Sequence, residues 1–180
     1  KHWKRNPVFD EVEVKKMVKD GVKRLVSMQL SDGGWGWFSG WGEHSYPHTT
    51  AVVVHGLRLA HSHGAAVPPV VIDRGIEWLV NYQKDELRKL KNFAKEKRPW
   101  KRHADSLDAF VFMILTQAGR HNREMEDFLY RDRLELPVYA AAMFGVALTE
   151  LERTDRVAMI SRNIEQYLVM DEENQTAYLK

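Results

Sequence analysis

An internal repeat constrains this chain more than any other feature. Gly21, Leu25, Val26 and Gln29 recur as Gly75, Leu79, Val80 and Gln83, an offset of about 54 residues. Repeats of that length mark folds made by copying one helix-hairpin unit, because a single hairpin cannot bury its own apolar face. The first copy ends differently from the second. After Gln29 comes Leu30-Ser-Asp-Gly-Gly-Trp35, a glycine-rich turn closed by tryptophan.

No run alternates apolar and polar residues, so no sheet is expected. The spacing predicts amphipathic helices over about 11–30, 68–96 and 154–170, the last capped by Thr154 or Asp155. In the first, Val14, Met17, Val18, Gly21, Leu25 and Met28 share one side. Three segments are apolar all round, at about 49–62, 104–118 and 137–151, and a short charged helix lies near 122–132. Asn174 to Lys180 reads as the start of a further helix. A helix apolar on every face is buried on every face, whereas one with a single stripe covers a core from outside. The alternation therefore predicts an all-α fold, an α/α toroid or an arc of one, with inner and outer helix layers. An open α-solenoid is the rival arrangement. Ala51, Gly56, Ala140, Ala141, Ala142 and Gly145 are small enough to let inner helices approach closely.

Composition narrows the function classes. With 27 basic and 25 acidic residues, the net charge of +2 makes no case for a nucleic-acid partner or an anionic membrane. No segment approaches the roughly 18–20 apolar residues of a transmembrane helix. Cysteine is absent, which removes disulfides, thiolate nucleophiles and cysteine–zinc sites from these residues. At 180 residues the chain suffices for one domain, and 1–180 is read as one. Both ends are expected to be boundaries inside a larger protein.

The turn and its surroundings resemble known families. Gly21 to Trp35 resembles the Gln-Trp motif of α/α-toroid proteins such as triterpene cyclases. The ordered series is similar to the thioester domain of the alpha-2-macroglobulin and complement superfamily, the bacterial members above all. It comprises Gly21-x3-Leu25-x3-Gln29-x2-Asp-Gly-Gly-Trp-Gly-Trp-Phe38, then Thr49-Thr-Ala51-x4-Gly-Leu-x2-Ala60, then Ile76-x-Trp-Leu79-x3-Gln83. Asp108 to Gly119 and Leu129 to Leu148 continue it. The resemblance implies the scaffold part of a thioester domain in a secreted or cell-envelope inhibitor that entraps endopeptidases. It implies no enzyme, no cofactor, and as partners the parent's other domains and, through the parent, target proteases. Dimerisation through the terminal helices is also expected. The family's thioester comes from a Cys-x-Glu-Gln segment upstream of the Gly21 helix, and this sequence holds no cysteine. A protein-interaction scaffold from a thioester-less family member is therefore an alternative reading. The family's second reactive element is a histidine, for which His103 is the nearest candidate. A capping or solvent-exposed role for His103 is the plainer reading.

Gln29, Asp32, Gly33, Gly34, Trp35 and Trp37 form the candidate turn motif. Trp35, Trp37 and Trp41 with Asp32 and Glu43 would suit a polysaccharide-acting site, since glycoside hydrolysis needs two carboxylates. The plainer reading is that the glycines supply turn geometry and the indoles pin hairpins. His44-x3-His48 and His61-x-His63 have metal-ligand spacing, but neither lies in matching structure, so no metal is expected. His61 and His63 are read as interacting with the final carbonyls of their helix. Asp105 is read as a first-turn residue favoured by the helix dipole, and Lys84–Arg102 as a solvated charged face.

Overall fold

The computed structural model describes residues 10–38, 42–171, 173 and 176–179. It divides into two compact units, one ending at Leu79 and the other beginning at Val80. In the first, α1 (Glu11–Ser27) starts at Asp10, whose carboxylate accepts from the Val12 and Glu13 amides. That cap satisfies two amides that no helical carbonyl reaches. α1 packs on α2 (Pro47–Ser62), which opens on a proline that donates no amide hydrogen at a position where none is needed. α3 (Pro69–Phe93) begins in this unit and continues past its boundary.

Two expectations change here. α2 is not buried on every face: Thr50, Ala51, Val53, Val54 and Leu57 are buried, but Val52, Gly56 and Leu59 are exposed. In α1 only Val22 is buried. Its stripe of Val14, Val18, Val22 and Val26 instead lines an open groove of about 830 Å³ with Leu59 and Pro68. α1 also stops at Ser27, short of residue 30, because the turn that follows uses Met28 to Leu30.

The second unit is built around α4 (Ser106–Gln117). α5 (Arg123–Arg131) and α6 (Val138–Glu150) pack on it, and α7 (Thr154–Glu165) packs on α6. Val111, Phe112, Ile114 and Leu115 of α4 are at most 1% exposed. Burying each is worth about 1.5–3 kcal/mol, several times the few tenths that β-branched and aromatic residues lose in helix propensity. Burial therefore decides that this segment is a helix. Phe112 and Phe144 meet edge to face, with centroids 5.7 Å apart. At Gly145 the α6–α7 contact is so close that an added Cβ would lie 3.3 Å from Ile160. Gly56 and Ala142 make no such approach, being exposed. α6 shows an exposed stripe of Tyr139, Ala142 and Val146, so it too is covered on less than its full circumference.

Polar tethers hold the outer helices. The buried Glu126 of α5 accepts from Arg156 (2.8 Å) and Arg153 (3.3 Å), and His121 Nε2 lies 2.8 Å from its other oxygen. A carboxylate removed from water is tolerable only with such partners. α7 has Arg153 as its cap residue, with no side-chain cap bond, so neither Thr154 nor Asp155 caps it.

The largest departure is at the end of the chain. β1 (Leu168–Asp171) pairs antiparallel with β2 (Thr176–Leu179), Leu168 opposite Leu179 and Asp171 opposite Thr176. The expected further helix is therefore a strand over 176–179. Four-residue strands with mostly exposed side chains carry too little period-2 signal to be read from sequence. Seven helices and these two strands are the elements among the described residues.

Candidate functional site

Gln29, Asp32, Gly33, Gly34 and Trp35 come together at the end of α1. Gln29 Nε2 donates to the Gly33 and Val71 carbonyls, both at 2.9 Å. Gly33 adopts φ +94, and a Cβ there would lie 2.8 Å from the Arg74 carbonyl oxygen. Two separate reasons thus require glycine. Trp35 is 1% exposed. Its indole Nε1 donates to the Leu25 carbonyl (2.8 Å), and its amide donates to Thr50 Oγ1 (2.9 Å). The tryptophan thereby clamps α1 to the start of α2. Its ring lies against Gly75, where an added Cβ would lie 2.6 Å from Val54 and 2.9 Å from the indole. Gly75, found as one end of the repeat, is the floor on which the Trp35 ring rests.

Asp32 organises the outside of the turn. Its carboxylate accepts from the Gly34 amide (3.1 Å), Ser45 Oγ (2.7 Å) and Trp78 Nε1 (2.9 Å). Burial works to raise its pKa, but the bonds from Ser45, Gly34 and Trp78 outweigh it and hold the carboxyl below its ordinary range. Arg74 donates to the Leu30 and Ser31 carbonyls. Thr50, Ser45, Arg74 and Trp78 were missed from sequence. Trp78, in the second repeat copy, and Thr50, in the Thr49-Thr-Ala51 run, lay in motifs read from the sequence; Ser45 and Arg74 did not.

Trp37 stands apart from this arrangement, 65% exposed with its ring edge-on to Tyr46 at 6.0 Å. Trp41 lies outside the described residues. Glu43 accepts from the Phe38 and His44 amides. Both carboxylates of the sugar-site reading are therefore engaged in holding the loop. His63 Nδ1 donates to the Leu59 carbonyl at 2.8 Å, a cap for α2. Among the described residues no group of three or more metal-ligating side chains exists.

The second unit holds a different polar centre. Lys101 Nζ reaches Glu86 (2.8 Å), Asp105 (2.7 Å) and Asp108 (2.7 Å). Glu86 also accepts from Lys89 (2.6 Å). Glu86 and Asp108 are buried, so Lys84–Arg102 is not simply a solvated face. Burial works against the Lys101 charge, but Asp108, Asp105 and Glu86 raise its pKa above the ordinary range. Burial pushes Asp108 up to about 6 despite Lys101, and the Asp105 charge adds to the rise. Tyr82 is likewise raised by burial and then by Glu86. Asp105 proves to be the N-cap of α4 rather than a first-turn residue. It accepts from the Leu107 and Asp108 amides while Asp108 accepts from its own, a reciprocal box. His103 is part-exposed, with Nδ1 3.5 Å from Asp132. Asp132 in turn accepts from the Ala104 amide at 2.8 Å.

No family model matches the chain. Over 70 residues, 38% of this chain, it is 41% identical to the alpha-2-macroglobulin of Thermotoga maritima. The fold matches the native conformation of Escherichia coli alpha-2-macroglobulin over 91% of this chain, with TM-score 0.66 and 23% identity. It matches the Salmonella protein reacted with methylamine over 90%, with TM-score 0.66 and 21% identity. The likeness is to the bacterial alpha-2-macroglobulins. The expectation of a helical fold stands for all but the β1–β2 pair, and the fold also matches part of an E. coli alpha-2-macroglobulin structure that runs from the MG7 domain to the C-terminus, at TM-score 0.63 and 23% identity. The chain spans 4% of the length of the Thermotoga alpha-2-macroglobulin and 10% of the full-length E. coli one.

Proposed function

We propose that the chain is scaffold from the thioester domain of a bacterial alpha-2-macroglobulin-like endopeptidase inhibitor, secreted or held in the cell envelope. The observation that carries this is the fold likeness over nine-tenths of the chain to native E. coli alpha-2-macroglobulin. The E. coli protein has been seen activated by trypsin and by porcine elastase, and the Salmonella one reacted with methylamine. Carried to this chain, the reading is entrapment. A protease cuts elsewhere in the parent, the molecule rearranges, and a protected acyl thioester links to the target. Helices such as α4, apolar on nearly every face, suit the exclusion of water that such an electrophile requires. These residues contain no cysteine, so they supply walls and not the thioester. The Gln29–Trp35 turn acts as the joint that fixes one hairpin on the next. No residue is assigned a catalytic role. Its partners are the parent's other domains and, through the parent, proteases.

The test uses the parent protein and trypsin. Entrapment leaves trypsin active on a small peptide substrate but shielded from a large protein substrate, and methylamine treatment of the parent beforehand abolishes covalent linkage. The 180-residue chain alone shields nothing. A parent that neither shields trypsin nor carries Cys-x-Glu-Gln before Lys1 would overturn the inhibitor reading. No observation favours the polysaccharide enzyme, because Asp32 and Glu43 are both occupied by bonds within the loop.

A further inference from the structure

The strongest feature outside the turn lies where α3 ends. Every residue from Phe93 to Trp100 is exposed. This tip and the residue pair after it carry Lys95, Lys97, Arg98 and Arg102 against one acid, Glu96. Neighbouring cations are paired: Arg88 with Asp85, Lys89 with Glu86, Lys91 with Glu124, and Lys101 with Glu86 and Asp108. The four tip cations have no ion pair among the described residues. Two aromatic rings sit among them. Phe93 and Trp100 are 5.2 Å apart between centroids, and 37% and 46% exposed.

The tip is held in shape. The Lys97 amide donates to the Asn92 carbonyl (3.1 Å), and Asn92 Nδ2 donates to the Pro99 carbonyl (3.0 Å). The Lys101 amide donates to the Lys89 carbonyl (3.0 Å), while its ammonium is fixed by three carboxylates. Cations and aromatic rings are therefore presented together from a fixed base.

We propose that this tip docks on an anionic lipid surface. Its cations face the headgroup phosphates, and Trp100 and Phe93 enter the interfacial layer. Indole rings favour that layer, and each Lys or Arg held near an anionic leaflet strengthens partition by about fivefold. A lipid surface needs no shape match, so exposed cations around an exposed indole suffice for it, whereas a protein partner would have to match this tip in shape as well as in charge. The whole-chain charge of +2 conceals this site because it averages a local excess over 180 residues. The proposal does not rest on the inhibitor reading.

The test mixes the chain with sedimentable vesicles of phosphatidylcholine, with and without phosphatidylglycerol. Expected is binding to the anionic vesicles alone, lost as salt rises from about 0.05 to 0.5 M and the screening length falls. K95E/K97E should weaken binding by at least about 25-fold. Trp100→Ala should weaken it too, and should remove the tryptophan quenching seen with brominated lipid. Circular dichroism checks that these surface variants fold. The idea is overturned by equal binding to neutral vesicles, by no binding to either, or by wild-type binding in K95E/K97E. Preference for soluble polyglutamate over vesicles at equal charge would also overturn it, in favour of an acidic protein.

Discussion

Gln29 and Gln83 hold the same place in two copies of one sequence pattern, yet their surroundings differ in kind. In the first copy the helix ends at Ser27, and Gln29 turns back to bind two carbonyls. In the second the helix runs on to Phe93, and Gln83 is 4% exposed with its Nε2 unpartnered. The first copy ends in a turn held by hydrogen bonds to carbonyls, to Thr50 and to one carboxylate, Asp32. The second leads into Glu86, Lys101 and Asp108, a buried charge cluster in which Asp108 Oδ1 also lacks a partner. One pattern thus serves two physical solutions: a turn fixed by geometry, and a continuous helix fixed by burial and charge.

The largest test of that contrast is Trp35→Ala. It removes a fully buried indole, its bond to the Leu25 carbonyl and the ring against Gly75. Loss of such a side chain costs about 3–5 kcal/mol. Urea unfolding followed by circular dichroism should show it, and a change below about 1 kcal/mol would refute the clamp. Trp37→Ala, at an exposed ring, should change stability by no more than about 0.5 kcal/mol.

The charge cluster predicts a pH dependence of definite sign. Asp108 is raised in the folded chain to about 6 from 3.8. The folded state therefore holds the extra proton between those values, and this group's contribution to stability falls as pH rises from about 4 to 6. The difference corresponds to about 3 kcal/mol. Asp32 is lowered, so its contribution runs the other way and is lost only as pH falls below its ordinary range. Comparing urea midpoints of wild type and Asp108→Asn from pH 7 to 4.5 isolates the Asp108 part. The wild type should gain on the variant as acid is added, and parallel profiles would sink the assignment.

What sequence revealed follows the same division. The repeat, the predominance of helix and the turn residues from Gln29 to Trp35 were legible because helical period and glycine chemistry are local. The partners of the turn were not. Thr50, Ser45 and Arg74 stand 13 to 44 positions from the turn residues they bond, and nothing local marks those contacts. Glu86 and Lys101 read as solvated because charged residues on an outer helix usually are. Lys101 joins Glu86 to Asp108 of α4, a pairing that no local pattern marks. Apolar content alone overstated burial in α2 and α6, whose exposed stripes carry Val52, Leu59, Tyr139 and Val146. The β1–β2 hairpin was invisible because its strands are four residues long.

The two glutamines give the finest comparison. Gln29→Leu keeps the side chain's bulk but strands the Gly33 and Val71 carbonyls. A partly buried acceptor left without its donor costs about 1–3 kcal/mol, so about 2 kcal/mol is expected. Gln83→Met removes an amide whose donor already lacks a partner, and replaces it with an apolar chain of similar length. Removing an unsatisfied polar group is neutral or stabilising. The expected change is within about 0.5 kcal/mol of zero, or a gain. Both variants are read by urea unfolding at pH 7. Equal losses at the two positions would mean that Gln83 makes a bond equivalent to those of Gln29, and that the copies are alike in more than sequence. A loss at Gln29 alone would mean that the glutamine of this repeat is needed where the helix stops, and is only filler where it continues.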